Sequence, residues 1–132
     1  MQIVMTDNLP KNTTLQLRVP ATPENTNTGG DIFGGWIMGQ VDIAGSIPAV
    51  NCSRGRVVTV AVKNFIFHKP VFAGDMVNIY ADIIRIGRTS ITVSAEVYVE
   101  RNPRTPEVVK VAEATVVYVA VDDAGRPRPV KE

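Results

Sequence analysis

The stretch IFGGWIMGQVDIAGSIPAV, residues 32–50, decides the fold. Its apolar residues recur at helical spacing and predict one main helix over this range. Asp31 is expected to be the N-cap of this helix or an acid in its first turn. Pro48 is expected to kink the helix or to stop it early, because proline has no N–H to donate.

The rest of the chain is predicted to form strands. In residues 90–100 apolar and polar side chains alternate, which is typical of a strand with one buried face. A hairpin turn is predicted at residues 86–89. The predicted strands cover residues 14–19, 56–67, 76–86, 90–100 and 108–121. A sheet of such long strands with one helix should curl around that helix, which gives an α+β fold.

Length and composition predict a single domain over residues 1–132, with a loose start at residues 1–13 and a tail at residues 122–132. The strand at residues 56–67 is apolar on both faces, although a sheet covered by a helix on one side should be polar on the other. We therefore expect another copy of the chain to cover its outer face or its edge. The sequence predicts a homo-oligomer.

Composition excludes several classes of function. The net charge of +1 argues against a nucleic-acid-binding protein. One cysteine, Cys52, and one histidine, His68, exclude an internal disulfide and a multi-histidine metal site. No secretion signal and no run of about 18 apolar residues is found, so we expect no membrane partner. With its unpaired cysteine, the chain is expected to be cytoplasmic.

Asp42 is the one formal charge in the 22 residues between Asp31 and Arg54. On a helix it shares a face of small residues with Gly35 and Gly45. An ionised carboxylate is costly on a buried face unless it is hydrogen-bonded or faces a cleft, so Asp42 is a candidate general base. The alternative is that Asp42 points to solvent or pairs with an arginine across an interface.

The glycine-rich segment at residues 29–35, GGDIFGG, begins the same helix. Free N–H groups at a helix N-terminus suit an oxyanion or a polarised carbonyl. The alternative is a flexible turn whose glycines let the helix pack closely. The pattern is not the glycine motif of a dinucleotide-binding fold.

These segments resemble a known family. The blocks TNTGGDIFGGWIMGQVDIAG, SRGRVVTVAVKNFIFHKPVFAGD, IGRTSI and YVAVDDAGRPRPV are similar to hotdog-fold acyl-CoA thioesterases, in particular to the bacterial YciA-like branch. The resemblance implies a hotdog fold and hydrolysis of acyl-CoA to free acid and CoA at a dimer interface. It also implies dimers that associate into hexamers, and no cofactor, because CoA enters as part of the substrate.

The resemblance assigns roles to individual residues. Asp42 matches the catalytic aspartate, which activates water or attacks the carbonyl directly. Asp31 matches a position that the partner subunit contributes. Backbone N–H groups around Gly34, Gly35 and Trp36 would polarise the thioester carbonyl. The hairpin is expected to contribute to the CoA surface through Gly87, Arg88, Thr89 and Ser90.

Other residues and functions stay open. Arg56 and Arg88 are the best candidates for CoA phosphate contacts, because arginine's fork suits phosphate. His68 could act as a base or form a local hydrogen bond, and Cys52 is expected to be a small buried side chain.

Two alternative functions stay open on the same fold. A non-catalytic acyl-CoA sensor would not need Asp42. A hotdog dehydratase would need a helix histidine, and this helix has none.

Overall fold

One long helix and six strands make up the part of the chain described by a computed structural model, residues 4–5 and 7–131. The elements are β1 (Val4–Met5), β2 (Leu15–Pro20), a 3-10 helix (Pro23–Asn25), α1 (Gly34–Ser53), β3 (Val57–Phe67), β4 (Met76–Ile86), β5 (Ser90–Arg101) and β6 (Glu107–Ala120). Each of the five long strands lies within about one residue of its predicted ends, as expected for segments with strong β propensity.

The five long strands form one antiparallel sheet in the order β2-β4-β5-β6-β3. The short β1 runs parallel to β6, beside Glu107 and Val108 and beyond the end of β3. Helix α1 contacts all five long strands. This confirms the predicted architecture, a long antiparallel sheet wrapped around one central helix.

The core lies between α1 and the inner face of the sheet. Ile91, Val93 and Val97 of β5 are fully buried, whereas the polar residues that lie between them in the sequence are partly exposed. Ile37 and Val41 of α1 are also buried. Burying each such side chain stabilises the fold by about 1.5–3 kcal/mol. The alternation read from the sequence therefore identifies the inner face correctly.

Helix α1 begins two residues later than predicted, at Gly34. Asp31 and Ile32 precede it in isolated bridges to Phe72 and Thr26, and the Ile32 N–H donates to the Val71 carbonyl. These tertiary pairings hold the chain extended up to Phe33, which is the N-cap. The expectation that Asp31 caps the helix or lies in its first turn is therefore wrong.

Pro48 lies inside α1 and does not stop it, so the early stop expected near Pro48 is wrong, and the helix ends three residues beyond the predicted Val50. Proline removes one N–H from the helix, which leaves the carbonyl of Ala44 without its usual partner. The helix continues to Ser53, whose carbonyl accepts a hydrogen bond of 3.1 Å from the Arg128 guanidinium. The helix end is thus tied to the C-terminal tail.

Both terminal segments contact the sheet. Residues 1–3 and 6, part of the segment predicted to be loose, lie outside the described residues. The carboxylate of Asp7 accepts the Lys110 N–H at 2.7 Å, so this part of the segment is tied to β6. In the tail, the Arg128 N–H donates to the Ala120 carbonyl after a turn, and Val130 is buried.

Strand β3 is an edge of the sheet, because within the described residues it pairs with β6 alone. Several of its apolar side chains are exposed in the single chain: Val60, Val62, Ile66 and Phe67. An unpaired strand edge with apolar side chains is a template for another chain. The predicted homo-oligomer requires an apolar surface that a second copy can cover, and the edge at β3 is such a surface.

Candidate functional site

The Asp42 carboxylate is held by a hydroxyl on β3. Its Oδ1 accepts a hydrogen bond of 2.6 Å from Thr59 Oγ1, and the residue is half-buried. Among residues 7–131 no arginine or lysine forms an ion pair with it. The carboxylate is therefore oriented without being neutralised by a cation, an arrangement that suits a general base.

The helix turn that contains Asp42 is anchored from β6. The buried Tyr118 hydroxyl donates to the Asp42 carbonyl at 2.6 Å. Gly45 makes room for this contact, because a Cβ atom there would lie 2.5 Å from the Tyr118 hydroxyl. Burial and the nearby Asp42 charge raise the pKa of Tyr118, so the phenol remains a donor at neutral pH.

Thr59 and Tyr118 were not selected from the sequence. Each is a hydroxyl-bearing residue in an otherwise apolar run, VVTVAV for Thr59 and VVYVAV for Tyr118. A hydroxyl that interrupts an apolar run is the one signal in the sequence by which these two residues could have been found. Their contact with Asp42 depends on the pairing of β3 with β6, where Thr59 lies opposite Tyr118.

Thr59→Val tests the contact to Asp42. The variant keeps the shape of the side chain but loses the hydroxyl. We therefore expect kcat for the thioester hydrolysis that the resemblance implies to fall about tenfold, since a hydrogen bond to a charged group is worth about 1.5–3 kcal/mol. Thr59→Ser is the matched control and should stay within about threefold of the wild type. Equal rates for the valine variant and the wild type would show that the contact does not orient the base.

The helix N-terminus provides free backbone donors. The Trp36 N–H donates to the Phe33 carbonyl at 3.1 Å, whereas the Gly34 and Gly35 N–H groups have no acceptor among the described residues. The Phe67 ring lies against Gly34, where a Cβ atom would be 3.2 Å from it. Of the three predicted donors, Gly34 and Gly35 are therefore the two that remain available to a carbonyl oxygen.

Asp31 lines a cavity of about 330 Å³ beside this helix end, together with Gly34, Phe67 and His68. Its backbone is fixed by Asn27, whose side-chain oxygen accepts the Asp31 N–H at 3.2 Å. The His68 Nε2 atom lies 2.6 Å from a Glu113 carboxylate oxygen. This local hydrogen bond, with a further contribution from Lys110, lowers the pKa of Glu113.

A single chain does not bring these groups together. Gly34 and Asp42 are eight positions apart on the helix, which is about 12 Å along the axis. The free N–H groups are thus too far from the Asp42 carboxylate to act on the same carbonyl. Within one chain, the two features therefore belong to separate places on the helix.

Arg56 and the hairpin at residues 87–90 lie together at the opposite end of α1. The Val121 N–H donates to the Arg56 carbonyl at 3.0 Å, and the neighbouring Ala120 N–H donates to the Thr89 carbonyl at 2.9 Å. The hairpin is closed by a hydrogen bond of 2.8 Å from the Gly87 N–H to the Ser90 carbonyl. Arg56 and the hairpin, which were proposed as CoA contacts from separate parts of the sequence, are therefore neighbours in the structure.

A long antiparallel sheet around one central helix is the hotdog fold, and residues 29–105 match the thioesterase superfamily. The chain belongs to this superfamily. It is 47% identical to the acyl-CoA thioester hydrolase YciA of Salmonella typhimurium, over 94% of either chain. It is 46% identical to YciA of Escherichia coli, over 93% of this chain and 94% of that one. The resemblance to the YciA-like branch is confirmed.

Solved structures agree with these relatives. A hexameric thioesterase from Yersinia pestis superposes with a TM-score of 0.85 at 50% identity, over 92% of this chain and 97% of that one. A hexameric hotdog fold thioesterase of Campylobacter jejuni has a TM-score of 0.84 at 39% identity, over 87% and 88% of the two chains. The hotdog fold is therefore confirmed.

Proposed function

We propose that the protein hydrolyses acyl-CoA thioesters to free acid and CoA. The main support is the Asp42 carboxylate, held at 2.6 Å by Thr59 and free of any cation within the described residues. The substrate class is proposed from the relatives, since YciA of Salmonella typhimurium and of Escherichia coli is an acyl-CoA thioester hydrolase. A non-catalytic acyl-CoA sensor would leave this oriented carboxylate without a role.

In the proposed reaction Asp42 acts as the general base. It takes a proton from a water molecule as the water oxygen attacks the thioester carbonyl carbon. The negative charge that develops on the carbonyl oxygen is stabilised by the N–H groups of Gly34 and Gly35 at a helix N-terminus. The C–S bond then breaks, and the proton passes from Asp42 to the departing CoA sulfur.

The alternative chemistry is direct attack by Asp42, which forms an anhydride that water then opens. A single turnover in heavy-oxygen water distinguishes the two routes. With a general base, all of the label enters the free acid. With an anhydride, the first turnover can place label in the Asp42 side chain instead.

The proposed site lies between two copies of the chain. It pairs Asp42 and Thr59 of one copy with Asp31, Gly34 and Gly35 of the other, because about 12 Å of helix separates the two groups within one chain. The apolar edge of β3 is the proposed dimer contact. By analogy with the hexameric relatives, we propose that three such dimers associate.

We propose that the reaction needs no cofactor or metal, because the thioester brings its own leaving group and Asp42 supplies the base. The described residues contain no helix long and apolar enough to cross a membrane. Cys52 is a free thiol. We retain the cytoplasm as the proposed compartment, which is consistent with an unpaired cysteine.

A panel of acyl-CoA substrates of different chain lengths tests the proposal. Released thiol is measured with DTNB, and we expect turnover with at least one acyl length. A sensor would bind acyl-CoA, seen by calorimetry, and release no thiol. Binding without thiol release for every acyl-CoA in the panel would therefore contradict the proposed hydrolase and favour the acyl-CoA sensor.

Arg88→Ala tests the hairpin as part of the CoA surface. The Arg88 side chain is exposed, and its carbonyl accepts the Val130 N–H, so the backbone should keep its place in the variant. We expect KM for acyl-CoA to rise about tenfold with little change in kcat, the pattern of lost uniform binding. Arg104→Ala, in the loop at the other end of the sheet, is the control. An unchanged KM for the Arg88 variant would remove the hairpin from the CoA surface.

A further inference from the structure

A buried ion pair joins Asp75 and Arg101 at one end of the sheet, outside the groups assigned to the chemistry. Arg101 is the last residue of β5, and Asp75 directly precedes β4. The Arg101 Nη2 atom lies 2.9 Å from Asp75 Oδ2, and the two side chains are only 16% and 4% exposed. Taking both charges out of water costs about as much as their attraction returns, so such a pair contributes little net stability. Its role therefore depends on its other contacts.

The Arg101 guanidinium also holds the loop between β3 and β4. Its Nη2 atom donates to the Pro70 carbonyl at 3.1 Å. Its central carbon lies 4.9 Å from the centre of the Phe72 ring, within the range of a cation–π contact. The Asp75 carboxylate accepts the Phe72 N–H at 2.9 Å. The two charged side chains therefore fix residues 70–72 to the end of the sheet.

Backbone hydrogen bonds fix this loop on either side of residues 70–72. The Lys69 N–H donates to the Val111 carbonyl at 3.3 Å. The Gly74 N–H donates to the Ala21 carbonyl at 2.8 Å. Neither bond reaches the segment between them, so the position of that segment relative to the sheet depends on the contacts of the ion pair.

The same loop is in turn paired with the segment that leads into α1. Phe72 forms an isolated antiparallel bridge with Asp31. The Val71 carbonyl accepts the Ile32 N–H at 2.8 Å, two residues before α1 begins. A contiguous series of contacts therefore links Arg101 to Asp31 and to the free N–H groups at the N-terminus of the helix.

The hydrogen bonding of Arg101 itself is incomplete. Its Nε atom is buried and has no partner among the described residues. An unpaired buried donor costs about 1–3 kcal/mol. The guanidinium is thus oriented toward Pro70, Phe72 and Asp75 although one of its own donors stays unpaired, which favours a positioning role over net stabilisation.

We propose that Arg101 is a positioning residue, which sets the place of Asp31 and of the N-terminus of α1 through residues 70–72. The inference rests on the proposed function for the role of the groups that Arg101 places. Because Arg101 acts through the loop, its loss moves the Gly34 and Gly35 N–H groups relative to a bound thioester. A misplacement of about 1 Å can cost about 100-fold in rate.

Arg101→Lys separates the positioning role from the ion pair. Lysine keeps a positive charge beside Asp75 but loses the planar group over Phe72 and the fixed geometry of the guanidinium donors. We expect a melting temperature near that of the wild type, a kcat for acyl-CoA about tenfold lower and a KM within about threefold. Arg18→Lys is the matched control, because Arg18 also bonds a carboxylate on this sheet, that of Glu100. It should keep the wild-type kcat, and a wild-type kcat for Arg101→Lys would contradict the proposal.

A double variant, Arg101→Met with Asp75→Asn, removes the guanidinium without leaving a buried charge. Burial raises the pKa of Asp75 and the Arg101 charge opposes that rise, so removing arginine alone would destabilise the fold by about 3–5 kcal/mol. Asparagine can still accept the Phe72 N–H. We expect a folded protein, seen by circular dichroism, with kcat again about tenfold below the wild type. A folded double variant with the wild-type kcat would contradict the role of Arg101.

Trp36 reports on the helix N-terminus without turnover, because it is the one tryptophan of the chain and the third residue of α1. Its side chain is partly buried against the core. We expect acrylamide to quench its fluorescence more strongly in Arg101→Lys than in the wild type, with Arg18→Lys equal to the wild type. Equal quenching in all three proteins would overturn the positioning role. Absence of thiol release with every acyl-CoA would contradict the proposed function, while the quenching would still decide whether Arg101 positions the helix N-terminus.

Discussion

Asp42→Asn should lower kcat for acyl-CoA hydrolysis by at least about 100-fold, the usual contribution of a general base. Asparagine has nearly the same shape and can still accept the Thr59 hydrogen bond, so the helix should keep its place. What it loses is the ability to take a proton from water or to attack the carbonyl. The rate is measured as thiol release at saturating substrate.

Two controls accompany this variant. The oligomer mass, measured by light scattering, should equal that of the wild type, because asparagine can keep the hydrogen bond to Thr59 of β3 and leaves the apolar edge of that strand unchanged. Asp82→Asn changes another half-buried aspartate, on β4, and should leave kcat unchanged. An Asp42→Asn enzyme with the wild-type rate would show that a different group does the chemistry.

Val62→Asp should abolish both the oligomer and the activity. Val62 is 43% exposed in the single chain, on the apolar edge of β3. In the proposed dimer its side chain is covered, and an unpaired carboxylate there costs several kcal/mol. We expect a folded monomer with less than about 1% of wild-type thiol release, because Asp42 then lacks the partner's helix N-terminus.

The matched control for this variant is Val62→Thr, which keeps the β-branched shape without a charge. It should form the wild-type oligomer and keep most of its activity. Circular dichroism shows whether Val62→Asp remains folded, as an exposed edge position allows. A folded monomer with full activity would place the whole site within one chain and contradict the proposed interface.

The sequence predicted the sheet well because its signals are local. In β5 the alternation of apolar and polar residues follows from burial of one face, and no partner strand is needed to see it. The strand ends fall at glycine, proline and asparagine residues that disfavour regular strands. The main helix was equally visible, since Ile37 and Val41 share its buried face.

The errors at the two ends of α1 come from contacts between distant segments. The helix starts at Gly34 because Ile32 pairs with Val71, a partner 39 residues away in the chain. It passes Pro48 and ends at Ser53, where Arg128 from the tail donates to the last carbonyl. Neither contact can be recognised from the spacing of apolar residues in residues 32–50.

The candidate site was predictable only in part. Asp42 stands out as a lone charge in an apolar helix, and that signal needs no structure. Thr59 and Tyr118 act on Asp42 through strand pairing, so sequence spacing could not select them. A site shared between two copies was implied by the resemblance to the family and stays a proposal, which is supported by the roughly 12 Å of helix between Gly34 and Asp42.

Subunit mixing tests this shared site most directly. Asp31→Ala and Asp42→Asn chains are co-expressed with different tags, and the mixed oligomers are purified and assayed for thiol release. Each variant alone should be nearly inactive, because every site has one lesion. If the chains pair at random, half of the two-fold dimers contain one copy of each variant. In such a dimer both substitutions lie in one site and the other site is intact, so about a quarter of all sites should be intact. Recovery toward a quarter of wild-type activity is the predicted result, and mixed oligomers no more active than the two parents would contradict it.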